Sequence, residues 1–183
     1  TGSKPSFHQW PGQELKGVQG LYHKRDLDLL EANAPNAQVC KRAVVVGGGL
    51  IGIELAEMLH SRHIPVTFLV REAHFWEGVL PTKNAKLLND HILSHGIDLR
   101  LNTELKEIIG GDQGKVKAVL TSNNELIECQ LVGITTGVQP NIDFIKNTPI
   151  ALDKGILVNK YLETNIAGVY AIGDCAQQTE VTG

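Results

Sequence analysis

The run Ala43-Val44-Val45-Val46 leads straight into Gly47-Gly48-Gly49-Leu50-Ile51-Gly52, and this junction limits the folds open to the chain more than any other segment. A β-branched run without polar alternation is the pattern of a strand buried on both faces of a parallel sheet. After the glycines, Ile51, Leu55, Met58 and Leu59 recur at helical spacing on one face through about Arg62. Pro65 closes the connection, and Val66-Thr67-Phe68-Leu69-Val70 reads as a second strand. Strand, glycine turn, helix and strand within about thirty residues make a βαβ unit.

The flanking segments extend this core. Upstream, prolines and glycines punctuate an irregular stretch in which residues 26–32 form one short helix, with Asp26 as its N-cap. Downstream, Thr82 is placed to cap a second amphipathic helix that buries Leu88 and Ile92 and ends at Gly96. Ile97, Leu99 and Leu101 alternate with polar residues as a third strand. Three short strands then follow, separated by the turn signals Gly110-Gly111-Asp112-Gln113-Gly114 and Ser122-Asn123-Asn124-Glu125, before the buried strand Leu131-Val132-Gly133-Ile134. The expected fold is α/β, a Rossmann-like doubly wound parallel sheet with an inserted antiparallel β-meander. After Pro140 the pattern changes again, to Ile156-Leu157-Val158 and to Val169-Tyr170-Ala171-Ile172, which reads as a buried strand ending at Gly173-Asp174.

Composition removes several functional classes. Seventeen basic and 20 acidic residues give a net charge of −3, and no basic cluster is dense enough for a phosphate backbone, so nucleic acid is not an expected partner. No apolar run reaches the roughly 18 residues of a membrane span, and the expected location is the cytoplasm. The three cysteines, Cys40, Cys129 and Cys175, are odd in number and far apart, which suggests neither a disulfide framework nor a zinc site. His91 with His95 and His60 with His63 have ligand-like spacing but no third ligand in sequence, and read as surface histidines. No metal is expected.

Gly47-x-Gly49-x-x-Gly52 sits where a dinucleotide fingerprint must sit. Gly47 allows the tight turn, Gly49 leaves the pyrophosphate unobstructed, and Gly52 lets helix and strand approach. The diphosphate would lie at the helix N-terminus, where free N–H groups and the helix dipole favour negative charge; a purely structural glycine turn is the alternative. At the tip of the second strand, Arg71 suits a 2′-phosphate while Glu72 suits a ribose hydroxyl or repels that phosphate. The residues leave NADH and NADPH both open, and either side chain is alternatively a solvated surface charge.

Val44 through Ala56 resembles the NAD(P)H-binding segment of the FAD-dependent pyridine nucleotide-disulfide oxidoreductases. Three further segments match in order. Thr1-Gly2-Ser3-Lys4-Pro5 is similar to the family's first crossover beside the flavin domain, and Thr136-Gly137-Val138-Gln139-Pro140-Asn141 to the second. Val169-Tyr170-Ala171-Ile172-Gly173-Asp174 resembles the second FAD fingerprint. The resemblance implies cofactor-binding roles for Gly47, Gly48, Gly49, Leu50, Ile51, Gly52, Gly137 and Gly173. It also implies that Asp174 accepts from the flavin's ribityl chain and that Glu54 lies near the nicotinamide. For Glu54 the alternative is a first-turn carboxylate complementing the helix dipole; for Asp174 it is a helix N-cap. The Cys-x4-Cys pair of the disulfide reductases is absent from these residues.

The implied domains are a crossover remnant (1–4), an NAD(P)H-binding domain (5–138) and a partial flavin-domain return segment (139–183). From the start at Thr1 and the single methionine, Met58, a processed, tagged or excised piece is expected, and the order of the motifs points to the middle of a larger protein. The parent is expected to be an oxidoreductase, homodimeric, passing hydride from nicotinamide to FAD and on to an unidentified acceptor. The piece itself should bind dinucleotide without retaining FAD or turning over. The alternative function is a non-catalytic Rossmann module with NAD(P) as a structural or sensing ligand.

Overall fold

The computed structural model describes residues 2–179. The Thr1 end of the first crossover segment and residues 180–183 of the last one lie outside the described residues. In chain order the elements are β1 (Ser3–Pro5), β2 (Val18–Gln19), α1 (Lys24–Asn33), β3 (Ala43–Val46), α2 (Leu50–His60), β4 (Val66–Leu69), α3 (Thr82–Ser94) and β5 (Asp98–Arg100). They continue with β6 (Leu105–Gly110), β7 (Val116–Thr121), β8 (Leu126–Glu128), β9 (Leu131–Ile134), β10 (Val138–Pro140), β11 (Ile156–Val158) and β12 (Ala176–Gln178). Two units divide the chain, Phe7–Gly137 and the described part of Thr1–Ser6 with Val138–Gly183.

The larger unit is built on a five-stranded sheet of order β2-β9-β3-β4-β5, in which every pairing is parallel. All four residues of β3, of β4 and of β9 are buried, as strands covered on both faces require. Alternate residues serve opposite faces. Val45 and Phe68 join Leu30, Leu55, Leu59 and Ile92 in a core under the helices. Val44, Val46 and Leu69 instead pack with Leu105, Ile108 and Val119. The second face is thus covered by the antiparallel meander β6-β7-β8 rather than by a further helix layer. Full burial of Leu55 or Leu59 is worth about 1.5–3 kcal/mol each, which is why α2 seats on the sheet.

Several polar side chains are buried in this unit, and one of them ties its strand to charged neighbours. Thr67, fully buried in β4, accepts from the Arg42 guanidinium at 3.0 Å and donates to Asp98 at 3.1 Å. Arg100 binds the same carboxylate at 2.6 Å, and hydrogen bonding to it raises the guanidinium pKa above its ordinary value.

Two helix starts differ from the sequence expectation. Asp26 lies inside α1, one turn past its N-cap His23, and its carboxylate reaches back to the His23 N–H at 2.9 Å. A capping carboxylate works from either end of the first turn. Thr82 is the first helical residue of α3, and Pro81 occupies the cap. Gly96 ends that segment with φ +78°, as a left-handed terminator should.

In the smaller unit, β1 pairs antiparallel with β10, and β11 pairs parallel with β12. Ile142, Ile145, Ile156, Val158, Ala171 and Cys175 form its core. The expected strand at 169–172 is reduced to a single bridge between Tyr170 and Glu163, because Tyr170 and Ile172 are exposed and only Ala171 supplies a buried anchor. Lys4 and Lys146 both bind Asp143, holding its carboxyl down to about 2. Among the described residues no helix is long and apolar enough to cross a membrane.

Candidate dinucleotide-binding site

The carboxyl ends of the parallel strands carry a cleft of about 1110 Å³. This lies near the upper end of the range of small-molecule sites, about 300–1,000 Å³. Its floor is the glycine turn between β3 and α2. Gly47 has φ +115°, and a Cβ there would stand 2.6 Å from the Thr135 carbonyl oxygen. A Cβ on Gly48 would come within 2.8 Å of a Val70 methyl, and one on Gly52 within 2.2 Å of the Gly47 carbonyl oxygen. Gly49 is different. It caps α2 in an extended conformation that any residue adopts (φ −97°, ψ −177°), and a Cβ there would meet nothing within 4 Å. The protein around Gly49 does not require glycine; the empty space beside it is part of the cleft.

The N-terminus of α2 faces this space unneutralised. No side chain caps it, and no acidic residue lies in its first turn, while Gly49, Leu50 and Ile51 line the cleft. Uncapped N–H groups and the positive end of a helix dipole attract an anion. Glu54, the fifth residue of α2, is exposed, does not line the cleft, and lies beyond the first turn. Its reading as a first-turn dipole partner therefore falls.

The cleft brings together Gly47, Gly48, Gly49, Leu50, Ile51, Arg71, Glu72 and Gly137 of the residues singled out in sequence. Gly52 is buried behind the turn. Gly173 and Asp174 belong to the smaller unit, where Gly173 has φ +73° and Ser3 Oγ donates to the exposed Asp174 carboxylate at 2.8 Å. Gly173–Cys175 forms a single 3-10 turn whose cap is Ile172, so Asp174 is not an N-cap.

Sequence reading missed Thr135. Its hydroxyl donates to the Val46 carbonyl at 2.9 Å and approaches that of Gly47 at 3.3 Å, pinning the turn from the neighbouring strand. The register Val46↔Ile134 places residue 135 beside Gly47, so the parallel pairing of β3 with β9 was the signal that could have found it. Trp10 and Trp76 were also missed. Both line the cleft, Trp76 in a left-handed conformation (φ 59°) and stacked on Phe75 with ring centroids 5.4 Å apart.

The family model for pyridine nucleotide-disulphide oxidoreductases matches residues 1–182. The chain belongs to this family. It is 31% identical over 177 residues to nitrite reductase (NAD(P)H) of Bacillus subtilis, across 97% of this chain and 21% of that protein. It is likewise 31% identical to an NADH oxidase of Methanocaldococcus jannaschii, across 100% of this chain and 40% of that protein. A solved ferredoxin reductase from Rhodopseudomonas palustris superposes with a TM-score of 0.91 at 25% identity, across 99% of this chain and 44% of that one. The chain thus spans less than half the length of each of these relatives. Among its described residues no group of three or more His, Cys, Asp and Glu side chains is placed to hold a metal ion; His91 and His95 merely lie against each other, ring centroids 4.3 Å apart.

Proposed function

We propose that residues 5–138 are the NAD(P)H-binding domain of an FAD-dependent oxidoreductase, with 1–4 and 139–183 as segments of its flavin domain. The observation that carries this reading is the open space at Gly49, on the uncapped end of α2, inside a cleft large enough for a dinucleotide. In this reading the backbone N–H groups at the start of α2 hold the pyrophosphate. Thr135 keeps the turn in the shape that presents them, and the loop carrying Arg71 and Glu72 meets the adenosine ribose. The names of relatives, nitrite reductase (NAD(P)H) and NADH oxidase, support the same cofactor class.

The nicotinamide would supply a hydride to flavin and so to an electron acceptor, the cofactors carrying the chemistry while the protein supplies orientation and electrostatics. Asp174, next to the open Gly173, would hold the flavin's ribityl chain. Glu54 would orient the nicotinamide carboxamide, a role that rests on the family resemblance alone. A cytoplasmic enzyme fits this chemistry.

Both tryptophans of the chain line the cleft. Titration with NADH should therefore quench their fluorescence along a saturable, single-site curve that ADP-ribose reverses. Fluorescence that is unchanged, or that falls without saturating, would remove the dinucleotide site.

A further inference from the structure

The loop after β4 carries the cleft's only arginine, Arg71, among the described residues that line it. Its guanidinium is already engaged, with Nε donating to Glu72 at 2.7 Å. A second carboxylate is brought to the same wall by the backbone. The Asn102 N–H donates to the Glu72 carbonyl at 3.0 Å, and the Thr103 N–H to the Val70 carbonyl at 3.1 Å. Residues 102–104, entering β6, are thereby laid along residues 70–72. The backbone of Glu104, next in line, is held by reciprocal bonds with Ser122 at 3.0 and 2.8 Å, and the residue lines the cleft. Glu77 lines it too, anchored at 3.1 Å to the Ala73 N–H. The hydrogen bond Arg71 donates to Glu72, the charge of Glu72 and, more weakly, that of Glu104 raise the Arg71 pKa above its ordinary value, the sign of a guanidinium engaged by carboxylates.

Resting on the dinucleotide reading above, we propose that Glu104 acts with Glu72 as a specificity-determining pair at the adenosine end. Together they occupy Arg71 and turn that wall anionic, so that the cleft takes NADH in preference to NADPH. The Glu72 and Glu104 carboxylates act on one guanidinium here, and Glu77 lines the same cleft. A 2′-phosphate brings close to two negative charges at neutral pH; a ribose 2′-hydroxyl brings none and can donate to a carboxylate. Glu104 reaches the wall from the β5–β6 connection, more than thirty residues from the strand tip where such specificity is ordinarily read. These side chains are solvent-accessible, so their repulsion acts through water and is screened by salt.

The test is calorimetric affinity of the full chain for NADH and for NADPH at low and high salt, in the wild type, Glu104→Gln and Glu72→Gln/Glu104→Gln. The wild type should bind NADH at least about tenfold more tightly than NADPH at low salt, the size of one uncompensated charge contact near a protein surface. That ratio should shrink with salt, narrow in Glu104→Gln and close further in the double variant. NADH affinity should change less than NADPH affinity throughout, whereas a merely structural Glu104 would move both together. Equal or tighter NADPH binding by the wild type overturns the inference and leaves the dinucleotide site standing. A wild-type preference untouched by either substitution overturns the role of the carboxylates. Failure to bind both dinucleotides removes the site, and the inference with it.

Discussion

The α-carbon of Gly52 lies so close to the Gly47 carbonyl that a single added methyl would sit 2.2 Å from its oxygen, with the Thr135 hydroxyl at 2.8 Å and the Phe68 ring at 3.1 Å. Helix α2 can start where it does only because residue 52 has no side chain. Gly52→Ala should therefore destabilise the fold by about 1–3 kcal/mol, the usual cost of overpacking, read as a lower urea midpoint. An unchanged midpoint would mean that the helix and turn are free to separate.

Thr135 should matter to binding more than to folding. Thr135→Val keeps the shape but removes the hydroxyl that donates to Val46; the lost bond should cost about 0.5–1.5 kcal/mol of stability, and the loosened turn should weaken NADH. Chemical denaturation and calorimetry on the same variant separate the two effects. An affinity equal to wild type would show that Val46 and Gly47 hold their shape without this hydroxyl.

Thr67 bridges Arg42 and Asp98 inside the sheet. Thr67→Val leaves those two partners to rearrange beside a buried methyl, and should cost about 1–3 kcal/mol, while NADH affinity stays near wild type because Thr67 does not line the cleft. A stability equal to wild type would show that the charged pair closes over the gap unaided.

Burial, with Cys40 nearby, pushes the Cys129 thiol up to about 12 from an ordinary value of 9.0. Between those values the unfolded chain has released a proton that the folded chain still holds. Stability is therefore unaffected by this thiol below pH 9 and falls as pH rises toward 12, by at most about 1.4 kcal/mol per pH unit. Urea midpoints measured across that range should fall less steeply in Cys129→Ala than in the wild type. Identical slopes would contradict the assignment.

Local pattern made the parallel core legible: Ala43–Val46, Val66–Leu69 and Leu131–Ile134 are buried throughout and, Thr67 aside, lack polar side chains because both their faces are covered. Spacing alone suggested separate roles for the three glycines; Gly47 and Gly52 have no room for a Cβ, whereas Gly49 opens onto the cleft. The residues that were not legible depend on neighbours distant in sequence. Thr135 matters because β9 lies beside β3, and Glu104 because residues 102–103 pair with 70–72. The failure at 169–172 has the opposite cause, an apolar run whose Tyr170 and Ile172 point outward, which periodicity cannot distinguish from a buried strand.

The most direct test of the account is Gly49→Val, followed by circular dichroism and by NADH titration in a calorimeter. The protein leaves open space at that Cβ and the backbone there is extended, so the variant should fold with an unchanged spectrum and midpoint. The added side chain would fill the place of the pyrophosphate, and NADH affinity should fall by at least about a hundredfold, the loss of roughly 2.7 kcal/mol of binding. A folded variant that binds NADH as the wild type does would contradict the phosphate-binding role of this turn.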